Sequence, residues 1–331
     1  MLDIIHQDNN NVNSNVLKIA FLGTPDFAVP ALDKLAQSDY KPAAVFCAPD
    51  KPIGRKQVLT PPPIKIVAQQ YNIPVYQPAT KQELTQQIAE LKPNLILSAA
   101  YGIIVPKEVL DAPKYGCLNI HPSLLPRWRG ASPIQATILA GDAATGVSIF
   151  KMDEGIDTGP IIKSSKFKVQ SSKITTPELT KDLAGLGAQL LLDVLPDYLA
   201  GKIAPMPQDD SRATYAPQIK KEDGKIDWQK SATEIDRQIR AFTPWPGTYA
   251  TLPNYSPSEV EGSKIKFIKA STSEKEGGQQ PGKVYLIDDR LAVQTGSGSL
   301  IIEELQLEGS KALTATDFLR GHQEIIDQAL T

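Results

Sequence analysis

Residues 94–100, Asn-Leu-Ile-Leu-Ser-Ala-Ala, constrain the fold more than any other stretch. An apolar run without alternation has no solvent face, so as a strand it must be covered on both sides. Cover on both faces implies a parallel sheet fed by strand–helix–strand crossovers. The flanking sequence supplies them. Residues 17–22 make a second buried-type strand, followed by a turn at Gly23 and a helical pattern over 27–37. Strands are expected at 42–48 and 74–76, and helices at 64–71 and 81–91. Later come strand-like residues 117–121, 146–152 and 161–169. An amphipathic helix over 177–199 then carries Leu179, Leu183, Leu186, Leu190 and Leu191 on one side. The first turn holds Gly23 but no G-x-G-x-x-G, which argues against a dinucleotide site.

A chain of 331 residues exceeds a single ordinary core. The texture changes near residue 204, where three prolines and mixed charges mark 204–223 as a linker across the first domain's surface. Beyond it, alternating runs at 264–269, 282–287, 291–295 and 300–307 are separated by Gly and Asp turns, the pattern of a small β-barrel. The expected organisation is a polar, disordered extension at 1–16 and an α/β domain at 17–203 with helices on both faces of a mostly parallel, Rossmann-like sheet. The linker at 204–223 and a barrel domain at 224–331 follow. Trp228 and Trp245 are assigned to burial under the barrel, not to base stacking.

Composition narrows the function classes. A formal net charge of −2 gives no general attraction to nucleic acid or anionic membrane. Cys47 and Cys117 lie in apolar runs and read as buried thiols of a reducing compartment. No apolar run reaches membrane-spanning length, and the N-terminus lacks a basic secretory start, so a cytoplasmic location is expected. Histidines at 6, 121 and 322 and two distant cysteines offer no metal-ligand spacing.

Chemistry concentrates in residues 116–135. In the strand 117–121, Asn119 and His121 are two apart and project to the same face. Acyl chemistry wants such a pair: an amide to hold a developing oxyanion and an imidazole to move protons. Asp157, in the Gly-rich turn Glu-Gly-Ile-Asp-Thr-Gly-Pro, is a candidate third member that fixes the imidazole's tautomer. Each residue also has a plainer reading: a turn cap, a structural histidine, a loop acid.

On these residues the chain resembles the formyltransferases that use 10-formyltetrahydrofolate. Asn119-x-His121, the Ser-Leu-Leu-Pro loop of Ser123, Leu124, Leu125 and Pro126, and Asp157 match the family's motifs. The likeness runs from Lys18 to Gly321. It implies that Asn119, His121 and Asp157 are catalytic, and that the 123–126 loop, with Tyr101, Gly102 and Ile103, holds the folate. Residues 101–106 are equally readable as a plain strand-to-helix turn. The resemblance also implies an oligonucleotide-binding-like barrel and, through the long loop 49–63, contacts from Lys51, Arg55 and Lys56 to methionyl initiator tRNA as acceptor. The enzyme is expected to be a monomer needing no metal. From Lys220 onward 14 Lys and Arg stand against 17 Asp and Glu, so any tRNA contact by the barrel must use one face. Lys264, Lys266, Lys269, Lys283 and Lys311 are its candidates, and a solvated strand face would give the same pattern. Other acceptors (a glycinamide ribonucleotide or an amino-sugar nucleotide), hydrolysis of the donor, and a non-catalytic binding module are the alternatives.

Overall fold

A computed structural model describes residues 17–331 apart from Arg55, Gln170, 253–262 and Glu276. The extension expected at 1–16 and the expected tRNA contact Arg55 therefore lie outside the described residues.

The first domain runs β1 (Ile19–Gly23), α1 (Val29–Ala36), β2 (Ala44–Phe46), β3 (Lys51–Ile53), β4 (Val58–Thr60), α2 (Pro63–Gln70), β5 (Val75–Tyr76), α3 (Lys81–Leu91) and β6 (Leu95–Ala99). It continues with α4 (Lys107–Asp111), β7 (Cys117–His121), β8 (Arg129–Gly130), α5 (Pro133–Ala140), β9 (Ala144–Lys151), β10 (Ile161–Lys168) and α6 (Thr176–Leu199). Seven strands form one sheet in the order β10-β9-β7-β6-β1-β2-β5. It is parallel from β5 to β7, and antiparallel where β9 meets β7 and β10 meets β9.

Strand alternation divides the core between two faces. Ile19, Phe21, Leu95 and Leu97 point to one, where α1 and α6 pack through Leu32, Leu35, Leu183 and Leu191. Ala20, Leu22 and Ile96 point to the other, covered by α3 and α4 through Leu84, Ile88, Val109 and Leu110. A capping box joins Thr175 and Glu178 at the start of α6. Further along, Gly187 lets that helix close on the strand carrying Asn119 and His121: a Cβ there would lie 2.6 Å from Ile120 Cγ2.

The second domain contains α7 (Ala232–Phe242), β12 (Thr248–Leu252), β13 (Ser263–Ser273), β14 (Val284–Ile287), β15 (Arg290–Gln294), β16 (Ser299–Leu307), β17 (Leu313–Thr314) and α8 (Ala315–Gly321), preceded by a short β11 (Tyr215–Ala216). Its antiparallel sheet has the order β12-β13-β16-β15-β14, with β17 paired to β16. The chain's last residues run between the two outer strands. Thr251 and Thr331 exchange both backbone hydrogen bonds, at 2.7 and 2.9 Å, while Leu330 N–H donates to Gly282 and Val284 N–H to Gln328. That closes the sheet into a barrel. Helix α7 joins the domains, giving Ile235 and Ile239 to the barrel core and Ala241 and Phe242 to the first.

Three local expectations change. Residues 49–63 hold a two-stranded hairpin, β3 with β4, whose Ile53 and Leu59 are exposed. Trp228 is buried edge-on against Phe267, but Trp245 is 59% exposed. It sits in a Thr-Pro-Trp-Pro turn closed by the Gly247 N–H to Phe242 carbonyl bond, which holds the indole outside the barrel. The linker does more than cross a surface: β11 adds in parallel to β8. Among the described residues no helix is long and apolar enough to cross a membrane.

Candidate active site

In an open parallel sheet the strands end together, and a cleft forms where the strand order reverses. Here β1 has β2 on one side and β6 on the other. A cavity of about 550 Å³ opens at that place. Pro25 and Phe27 line it after β1, Ala100 to Ile103 after β6, and Asn119, His121 and Pro122 at the end of β7. Ile134, Met152 and Asp157 complete the wall. Thr24 ties the strand ends together, donating to the Tyr101 carbonyl at 2.9 Å and accepting from the Ala48 amide at 3.2 Å.

Asn119 and His121 both line this cavity, as their spacing requires. The Asn119 side chain is half-buried and makes no hydrogen bond to protein among the described residues, so its amide is available to a ligand. His121 is buried, and its Nε2 lies 2.9 Å from the Trp128 carbonyl. A carbonyl can only accept, so Nε2 carries the proton and Nδ1 is left for other chemistry. Nδ1 lies 3.6 Å from Asp157 Oδ2, just beyond direct hydrogen-bonding distance.

Asp157 stands in the left-handed region, φ 54°, within a turn that needs small neighbours. A Cβ on Gly159 would collide with the Lys151 carbonyl at 1.8 Å. The Asp157 Oδ2 accepts the Gly130 N–H at 2.8 Å. Residues 128–130 thus hold both partners, His121 through a carbonyl and Asp157 through an amide.

The residues expected to hold folate separate into two groups. Tyr101, Gly102 and Ile103 line the cavity, with Gly102 at φ 83°. Burial pushes the Tyr101 phenol well up, and its hydroxyl has no hydrogen-bond partner among the described residues. Ser123, Leu124, Leu125 and Pro126 lie behind the wall. Ser123 is fully buried and donates to the Arg127 carbonyl at 2.5 Å, and its own carbonyl accepts from Ser148. Leu124 packs on Gly146, Leu125 N–H donates to Ser148 Oγ, and the Pro126 carbonyl accepts from Thr214. Lys51 and Lys56 are exposed on and beside the β3–β4 hairpin. The sequence reading missed Arg129 and Gln208, whose side chains bond each other behind Asp157. The sole hint was the second of two arginines flanking Trp128, next to Gly130. Nothing in the linker's composition singles out Gln208.

Across the barrel, Ile265 and Phe267 point inward, while Lys264 and Lys266 line one surface groove with Tyr249 and Lys221. The Lys264 ammonium sits 4.9 Å from the Tyr249 ring centre. Lys269 instead pairs with Glu303 at 3.1 Å.

Comparison with known proteins agrees with this architecture in both domains. The Formyl transferase family matches residues 17–195, and the Formyl transferase, C-terminal domain, matches 218–323. The methionyl-tRNA formyltransferase of Methylococcus capsulatus is 40% identical over 308 residues, covering 92% of this chain and 97% of the relative. That of Citrifermentans bemidjiense is 42% identical over 310 residues, covering 93% and 94%. Among solved structures, a Helicobacter canadensis N-formyltransferase in complex with folinic acid and dTDP-3-aminofucose shares the fold, with a TM-score of 0.63 at 21% identity. The match covers 90% of this chain and 100% of that one. With both domains matched and these identities spanning nearly its whole length, the chain belongs to the formyltransferase family, in the two-domain form of the methionyl-tRNA formyltransferases.

Proposed function

We propose that this protein transfers the formyl group of 10-formyltetrahydrofolate to the free α-amine of methionine esterified to initiator tRNA. The observation that carries the reading is the convergence of Asn119, His121 and Asp157 on one cavity, with the Asn119 amide unclaimed by protein. The Asn119 N–H and the His121 ring meet the oxygen on which negative charge develops as the amine adds to the formyl carbon. Asp157 takes the proton the amine gives up, and His121, acting as the imidazolium with Nε2–H kept on the Trp128 carbonyl, supplies its Nδ1 proton to the folate nitrogen as its bond to that carbon breaks. One proton is lost and one gained. The pair resets when Asp157 returns its proton to Nδ1, a transfer that needs the 3.6 Å between them to close to hydrogen-bonding distance.

Phe27, Ile103, Val105 and Met152 give the cavity apolar walls suited to a flat heterocycle, and the backbone of 101–103 offers it polar groups. Ser123, Leu124, Leu125 and Pro126 serve that site indirectly, by shaping the turn after His121. For the tRNA, the hairpin supplies Lys51 and Lys56, Arg55 is a further candidate from sequence, and the barrel supplies Lys264 and Lys266 on one face. These groups would neutralise phosphates without needing a basic protein overall. The reading places the enzyme in the cytoplasm with its acceptor, working as a single chain because one chain provides every group of the site.

The test is acceptor choice. Purified protein with 10-formyltetrahydrofolate is offered methionyl initiator tRNA, a nucleotide-linked amino sugar, or buffer alone, and N-formyl products and formate are quantified. Formyl-methionyl-tRNA as the main product supports the proposal. A formylated sugar, or formate at the same rate without tRNA, overturns it.

A further inference from the structure

The catalytic aspartate is held from behind by the interdomain linker. Arg129 is one of the largest fully buried side chains, 2% exposed. Its Nε and Nη2 donate to Gln208 Oε1 at 3.1 and 2.9 Å, and Nη2 also donates to Asp210 Oδ1 at 2.7 Å. That fixes the amide orientation of Gln208, because the oxygen must face the guanidinium. The Gln208 NH2 group then points the other way and donates to the backbone carbonyls of Asp157, at 2.8 Å, and Gly159, at 2.7 Å. These carbonyls belong to the turn that keeps Asp157 left-handed, a conformation a non-glycine residue adopts only when its surroundings enforce it.

The same linker also holds residues 128–130. Trp128 N–H donates to Thr214 Oγ1 at 2.9 Å, Arg129 N–H to the Thr214 carbonyl at 2.9 Å, and Ser132 N–H to the Ala216 carbonyl at 3.2 Å. Upstream, Met206 and Ile161 exchange both backbone hydrogen bonds at 2.8 Å. The linker thus anchors both strips of chain that touch the His121–Asp157 pair.

We propose that Gln208, oriented by Arg129, is a positioning residue for Asp157, and that the linker is a working part of the active site. The proposal rests on the catalytic reading above. Gln208 touches no reacting atom. It sets where the Asp157 carboxylate stands relative to Nδ1, and misplacing a catalytic group by about 1 Å costs on the order of a hundredfold in rate.

Gln208→Glu is the informative variant. It keeps an acceptor for the buried guanidinium, so the fold is retained, but removes both N–H donors. The expected result is a kcat lower by at least about tenfold, with KM for both substrates within about twofold. In an Asp157→Asn background the same change should cost less than about threefold further, because two residues acting through one group are not additive. Wild-type kcat, or an equal loss in both backgrounds, overturns the proposal. Amide hydrogen exchange at Gly130 and across 155–160 reads the positioning without catalysis. Faster exchange there in Gln208→Glu, with β1 unchanged, is expected, and unchanged exchange overturns it. Were the wild type itself to form no product, the functional reading would fall while the exchange measurement still decided this one.

Discussion

Asp157 Oδ2 lies 3.6 Å from His121 Nδ1 while accepting a 2.8 Å hydrogen bond from the Gly130 amide. The carboxylate is therefore anchored by the backbone and only loosely engaged with the imidazole, a geometry suited to receiving a proton and passing it on. Asp157→Asn keeps an oxygen for the Gly130 N–H but cannot take a proton. Its kcat is expected to fall by about 10² to 10⁴ with the melting temperature little changed. Steady-state kinetics beside a thermal melt checks this, and a kcat within a few-fold of wild type would contradict the assigned role.

Gly130 connects the linker to Asp157, pairing with Ala216 of β11 while its N–H donates to the carboxylate. It has φ 118°, and a Cβ there would lie 2.6 Å from the Ala216 carbonyl. Gly130→Ala must push β8 away from β11 and pull the amide off Asp157. Strain of this kind costs about 1–3 kcal/mol. A lower melting temperature and a lower kcat should appear together. Loss of stability alone would separate the strand pair from the chemistry.

The two thiols give a pH-dependent prediction. Burial pushes the Cys47 thiol from 9.0 up to about 11 and the Cys117 thiol up to about 12. A raised thiol pKa means the folded state holds its proton more tightly than the unfolded chain. Stability is thus full below about pH 9 and falls as pH rises through 9 to 11. Melting temperatures between pH 7 and 10.5 should show this decline, reduced in Cys47→Ala relative to its own neutral-pH value. Near pH 7.5 neither thiol should react with iodoacetamide until the protein is denatured.

How much of this was legible in the sequence depends on whether a feature is written in side-chain pattern. The sheet was, because the apolar runs around Ile96 and Phe21 leave no other way to bury both faces. Asn119 and His121 were, since a spacing of two on a strand fixes a shared face. Barrel closure by Thr331 against Thr251 was not, because those bonds are backbone to backbone and leave no mark on residue type. Nor was the reach of Gln208 across 51 residues to the Asp157 carbonyl, within a linker that has no periodicity to read. Trp245 misled because a large apolar side chain near a barrel is ordinarily buried, whereas its Pro-flanked turn turns it outward.

If Asn119 and His121 carry the transfer, removing either must leave donor binding and stop turnover. Asn119→Ala should retain 10-formyltetrahydrofolate affinity within about threefold, because the residues proposed to hold the folate, Tyr101, Gly102 and Ile103, line another part of the cavity. Its single-turnover rate of formyl transfer to methionyl initiator tRNA should fall by about 10² to 10³, the usual cost of losing one oxyanion donor. His121→Ala should behave alike. A single-turnover rate close to wild type in either variant, with donor binding intact, would mean that the replaced residue does not carry the transfer.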